Sequence, residues 1–258
     1  MKSRYAAGTR RSGLAIGWAP AARPGRKIII ETSHARRGLA ATLALLALLA
    51  GCTSRSNPRT DGPEQSAPTA TDGLFTPSER NQDPSKNIEG VVVTDYEPAH
   101  SAPGQRVAYD KFPPYGGAHD RVWANCDGTV YSTAVRNEQM VHALEHGAVW
   151  IAYDPDAVAG PDLAGLAAKV DGQPYLMLSP YPGLDQPVSL QSWGHQLKLD
   201  SADDERIDQF IEALRDNPYT TPEAGAPCAT QPSQFDVTDP PAFDQSPPGP
   251  GAMPVTGP

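Results

Sequence analysis

Large apolar residues are grouped unevenly along this chain, and the groups predict its elements. Short continuous or alternating apolar runs at residues 90–94, 106–109, 148–153, 175–179 and 188–199, the last interrupted near Gly194, predict strands. Three stretches carry helical spacing instead. Residues 138–146 follow Asn137, a residue that caps helix starts, and stop at Gly147, a residue that ends them. A second helix is expected within residues 163–170. A third is expected over 203–215, where Ile207, Phe210, Ile211 and Leu214 recur at intervals of three and four on one face. The order β, β, α, β, α, β, β, α predicts one compact α+β domain, a mainly antiparallel sheet with packed helices. Residues 87–228 are enough chain for a single core of that kind.

The flanks follow other patterns. Residues 39–50 form an uncharged apolar run of 12, preceded by Arg36 and Arg37 and followed by Gly51-Cys52. A bilayer-spanning helix needs about 20 apolar residues, so this run is a secretory signal rather than a span. Leu49-Ala50-Gly51-Cys52 resembles the lipobox of bacterial lipoproteins, which predicts cleavage before Cys52 and acylation of its thiol. The mature protein is then expected on the extracytoplasmic face of the cell membrane, held there by lipid. Residues 53–86 are dominated by Ser, Thr, Pro, Asn, Asp and Gly, and residues 229–258 by Pro, so both are expected as disordered segments, a tether and a tail.

Cleavage changes the charge. The full chain carries 21 basic and 30 acidic residues, but residues 1–52 hold nine of the former and only Glu31 of the latter. The remaining 12 basic and 29 acidic residues leave about −17 with histidine neutral. Such a surface repels phosphate backbones and argues against nucleic acid as a partner. The expected partners are the membrane, through Cys52, and an envelope protein or cell-wall component. Two cysteines remain after lipidation, Cys126 and Cys228, and an exported compartment predicts a disulfide between them.

The strongest chemical signal is His142-Ala143-Leu144-Glu145-His146. On a helix, positions i and i+4 stand one above the other, so both imidazoles can reach one ion. His100 and His119 flank the run at 106–109, which makes four histidines that can converge. Met140 adds a soft thioether that would favour copper over zinc. The expected site is therefore His142, His146, His119 and His100 around copper or zinc. The same residues also fit a reading without metal, in which the imidazoles are structural. The spelling H-x-x-E-H matches the inverted zincin motif, in which Glu145 would be a general base, but that protease class needs a third acidic ligand and a larger body. No nucleotide-binding glycine loop and no Gly-x-Ser-x-Gly elbow occurs. Trp123, Trp150 and Trp193 are expected in the core or along a cleft.

Several stretches carry a family likeness. They are Pro113 to Asp120, Val122 to Cys126, Val135 to Glu138, Val141 to Gly147, Tyr181 to Leu184, Ser192 to Gly194, and Thr221 to Cys228. Together they resemble the DUF3105 family over about residues 91–228. In that family a Pro-Pro stretch ending in Gly and His corresponds to Pro113 through His119, although Tyr115 stands where Thr or Val is common. Its histidine-containing helix corresponds to His142, Glu145 and His146. The resemblance implies a bacterial exported or membrane-anchored protein, many members being actinobacterial, and supplies no catalytic role. The sequence is read as an exported lipoprotein whose domain binds a transition metal. The competing reading is a metal-free envelope interaction module, with a metal-dependent hydrolase behind both.

Overall fold

The computed structural model describes residues 73–255. The expected signal, Cys52 and residues 53–72 of the expected tether lie outside the described residues. In chain order the strands are β1 (Val92–Val93), β2 (Ala99–His100), β3 (Val107–Ala108), β4 (Ala118–His119) and β5 (Thr129–Val130), then β6 (Val149–Tyr153), β7 (Leu176–Pro180), β8 (Val188–Ser192), β9 (His195–Leu199) and β10 (Met253–Pro254). The helices are α1 (Asn137–Glu145), α2 (Gly160–Val170) and α3 (Arg206–Leu214). No helix among the described residues is long and apolar enough to cross a membrane.

Six strands form one sheet in the order β1-β9-β8-β6-β7-β5. The three pairs on the β1 side are antiparallel, whereas β6–β7 and β7–β5 are parallel. The sheet is thus mixed, with three of its five pairings antiparallel. The cause is α2: a helix between β6 and β7 is the crossover that a parallel pair requires.

Side chains alternate across the sheet, and this divides the core in two. Val149 and Ile151 of β6, Leu176 and Leu178 of β7, and Val188 and Leu190 of β8 face Leu166 and Val170 of α2 and Ile207, Phe210 and Leu214 of α3. Trp150, Ala152 and Met177 face the other way, toward Met140, Val141 and Leu144 of α1. α1 differs from the other helices. Every residue from Glu138 to Glu145 is buried, including four polar side chains, so this helix is covered by the segments that precede it as well as by the sheet. Met140 is fully buried in this apolar cluster, the ordinary place for a methionine.

Two short strand pairs stand apart from the sheet. β3, expected within it, pairs in parallel with β10 instead. β2 and β4 pair in parallel, with His100 directly opposite His119. Asn137 does not cap α1: the helix begins there, and its side-chain amide donates to the Tyr181 hydroxyl over 3.4 Å.

The flanking segments also differ from the expectation wherever they are described. On the amino side, Pro84–Asn87 forms a 3-10 turn against α3, Ser85 is buried, and the Asn217 side chain donates to the Gln82 carbonyl. On the carboxyl side, the Arg106 guanidinium donates to the Asp244 carboxylate at 2.6 Å and to the carbonyls of Asp244 and Ser246. Residues 241–248 thereby form one wall of a cleft of about 800 Å3 whose other wall includes Tyr109 and Tyr181. Composition reports that a segment cannot build its own core. It does not report whether the segment can lie on the core of another.

Candidate metal centre

The site is assembled where β2, β4 and α1 meet. β4 follows Tyr115-Gly116-Gly117, and glycine is required twice there. A Cβ on Gly116 would overlap the Tyr96 ring, and Gly117 adopts φ +90°, a region that side chains disfavour. This turn delivers His119 to a wholly buried position, and the β2–β4 register sets His100 beside it, with ring centroids 4.9 Å apart. α1 is docked on β4 by a bond from the Asp120 amide to the Glu138 carbonyl at 3.1 Å. Arg136 reinforces the junction, since its guanidinium reaches both Asp120 and Glu138 at 3.0 Å. The Glu138 carboxylate in turn accepts from the Val107 amide.

His142 then projects from α1 between two imidazoles. Its ring centroid is 4.7 Å from that of His119 and 4.7 Å from that of His146. Ligand atoms of His100, His119, His142 and Glu145 all lie within 4.8 Å of one another, and so do those of His142, His146 and Glu223. Donors around a tetrahedral ion with bonds of about 2.0–2.1 Å stand about 3.3 Å apart, so movements on the order of an ångström close either set onto an ion. His100 is the exposed member of the first set and Glu223 that of the second. All four expected histidines are gathered, but His146 stands beside the first group rather than in it. Glu145, expected as a base only if the protein were an enzyme, places a carboxylate oxygen among the possible ligand atoms, and Glu223 is a residue that the helical spacing could not reveal.

Backbone carbonyls orient three of these imidazoles. His119 Nδ1 lies 2.8 Å from the Gly117 carbonyl, His142 Nδ1 2.6 Å from that of Asp120, and His146 Nδ1 2.9 Å from that of Pro227. A carbonyl only accepts, so each Nδ1 carries the proton and donates it. In the neutral rings each Nε2 therefore presents a lone pair, the form in which histidine binds metals, held by the partners that such ligands usually have.

His119 Nε2 and Glu145 Oε2 are 2.9 Å apart with side chains 0% and 4% exposed, an ion-pair distance if the imidazole is protonated, and neither atom has another hydrogen-bond partner. Burial raises the Glu145 carboxyl pKa, but the imidazoles of His119, His142 and His100 outweigh it and hold the group below its usual range, in the ionised form. Two buried acceptors thus face each other across a gap too narrow for water. Only a positive occupant satisfies both, either a proton on Nε2 or a metal ion.

The surroundings are aromatic. Trp123 stacks obliquely on His142 and His146 at 5.5 and 4.7 Å, and Trp193 meets His119 edge-on at 5.8 Å. Trp150 is simply core. Cys126 and Cys228 form the expected disulfide, so neither supplies a thiolate.

Burial, assisted by the neighbouring His119 and His146 rings, pulls the His142 imidazole down from 6.5 to about 4; the Asp120 carbonyl and Glu145 oppose this only in part. Between these values the unfolded chain binds a proton at this position that the native chain excludes. The metal-free protein is therefore expected to lose up to about 3 kcal/mol as pH falls from 6.5 toward 4, with this contribution flat above 6.5. Urea denaturation in chelator at pH 7 and pH 5 checks it, and equal midpoints would contradict it.

An α+β domain with a buried histidine–carboxylate cluster, clamped by a disulfide, is the class of protein that this fold and site define. The chain belongs to the family described as "Protein of unknown function (DUF3105)", whose model matches residues 100–230 and so spans every residue of the cluster. No curated protein and no solved structure matches the chain.

Proposed function

We propose that this is an exported, lipid-anchored protein whose domain binds one divalent transition-metal ion, copper(II) or zinc, through His100, His119, His142 and Glu145. The observation that carries the reading is the pair of facing buried atoms, His119 Nε2 and Glu145 Oε2, at 2.9 Å with no other hydrogen-bond partner for either. Three imidazoles and one carboxylate suit copper(II) and zinc, and Cys126 and Cys228, joined in a disulfide, offer no thiolate for copper(I). With four protein ligands the ion fills a carrier or structural role rather than activating a water. The anchor rests on Leu49-Ala50-Gly51-Cys52 and the short apolar run before it.

Elemental analysis of the full chain, prepared without a histidine tag, tests the site. Near-stoichiometric copper or zinc is expected, lost in a His119→Ala, His142→Ala variant. Copper(II) at a hundredfold excess over its Kd should stabilise the unaltered chain by about 3 kcal/mol. A melting point indifferent to copper, zinc and nickel would end this reading. In the same preparations Cys52→Ser should move the chain from the membrane to the soluble fraction; retention in the membrane fraction would exclude the lipid anchor.

A further inference from the structure

The cluster contains two ligand sets that share one residue. His100, His119, His142 and Glu145 form the first set, and His142, His146 and Glu223 form the second. His142 has a single free nitrogen, because its Nδ1 is committed to the Asp120 carbonyl. That nitrogen can ligate one ion at a time. Two dications separated by little more than one imidazole would also repel strongly unless an anionic ligand bridged them, and the two sets share no carboxylate.

The two sets differ in access. The Glu223 side chain is 50% exposed, and its Oε2 lies 3.4 Å from His146 Nε2. In the first set His100 is exposed as well, but His119 and Glu145 are almost sealed, at 0% and 4%. The second set is nevertheless built into the same scaffold. The Glu223 amide donates to the Glu145 carbonyl at 3.1 Å, and His146 Nδ1 is held by Pro227. Trp123 covers the rings of both His142 and His146.

We infer that His146 and Glu223 form a handover position for the metal, from which the ion passes to His100, His119 and Glu145 by ligand exchange on His142. This rests on the metal-binding reading above. On this route a copper(II) or zinc ion arriving from solvent is captured by the half-exposed Glu223 carboxylate, whose charge the exposed but neutral His100 lacks, and then by His146 and His142. His142 keeps its bond while Glu223 and His146 are replaced by His119 and Glu145. No bond to solvent water has to be remade on the way, and release follows the same steps in reverse. The ion stays divalent throughout, so no electron donor is required.

Stopped-flow tryptophan quenching with copper(II) chloride, using the full chain and its Glu223→Gln and His146→Ala, Glu223→Gln variants, tests the inference. Trp123 and Trp193 stand beside the rings and report arrival. The unaltered chain is expected to bind one ion. Both variants should bind one ion with nearly unchanged equilibrium affinity, while loading and chelator-driven release slow together by about tenfold in the double variant. Glu223→Gln alone alters a half-exposed side chain and keeps the fold, and Glu223→Asp should restore the rate. Equal loading rates in all forms would overturn the handover while leaving the metal site intact. Two ions per unaltered chain, falling to one in the double variant, would overturn it in favour of a permanent second site. An unaltered chain that binds no copper would end the metal-binding reading, and the handover with it.

Discussion

Glu145→Gln is expected to stabilise the metal-free protein and, at the same time, to remove its response to metal. With the His119 proton on Nδ1, the carboxylate oxygen faces the Nε2 lone pair at 2.9 Å, and neither atom has another hydrogen-bond partner. A glutamine of nearly the same shape can turn its amide toward the imidazole and donate. A buried unsatisfied pair then becomes a neutral hydrogen bond, a change worth about 1–2 kcal/mol. For a domain of this size that corresponds to a rise of about 2–8 °C in melting temperature. The same substitution removes the anionic ligand, so the stabilisation by excess copper or zinc should shrink or vanish. Calorimetry of both forms in chelator and in excess copper(II) reads the two signs together.

The opposite result is equally informative. If His119 is doubly protonated in the resting protein, Glu145 and the imidazolium form a buried ion pair, and removing the negative partner strands a buried charge. The variant would then be less stable than the parent by several kcal/mol. Such a loss, with no metal response in either form, would make the cluster a structural ion pair and would refute the proposed function. The sign of one stability change thus separates the two readings, because they differ only in what fills the space between two known atoms.

How far the sequence could foresee this site depends on the scale of each signal. β6 to β9 are five-residue strands buried along nearly their whole length, so continuous apolar runs marked out β6 and β7 and alternating ones β8 and β9, and α3 announced itself by Ile207, Phe210 and Leu214 on one face. His142 and Glu145 were legible because helical spacing is local. β2 and β4 were not, since two residues contain no period to read. Yet their pairing sets His100 beside His119 and so builds half of the first ligand set. Glu223 was hidden for a different reason. It stands in Thr221-Pro222-Glu223-Ala224-Gly225, a stretch with no periodic signal, and reaches His146 only because the chain is folded back onto α1. The tail misled by composition: Pro-rich residues 241–248 have no core of their own, but Arg106 binds them to one.

Removing the Cys126–Cys228 disulfide is expected to have the largest effect on stability of any change outside the cluster. The bond joins residues 102 apart, and Cys126 and Cys228 are 0% and 6% exposed. Closing a loop of that length restricts the unfolded chain by about 4.7 kcal/mol in the chain-entropy treatment, and removing native disulfides from small secreted domains costs about 2–5 kcal/mol. A Cys126→Ala, Cys228→Ala variant should therefore melt about 4–20 °C lower. The loss has a local consequence as well. The segment that ends in Cys228 supplies the Ala226 carbonyl to the Tyr175 hydroxyl, the Pro227 carbonyl to His146 Nδ1, and its own Cys228 carbonyl to Trp123 Nε1. Freeing it loosens His146 and Glu223, whereas His100, His119, His142 and Glu145 reside on β2, β4 and α1 and keep their supports. Copper(II) is thus expected to bind the variant with its stoichiometry intact but to load more slowly, as in the absence of Glu223. Equal melting points with and without the disulfide would remove its structural role. Complete loss of copper binding in a variant still folded by circular dichroism would place the ion on His146 and Glu223 rather than in the buried set.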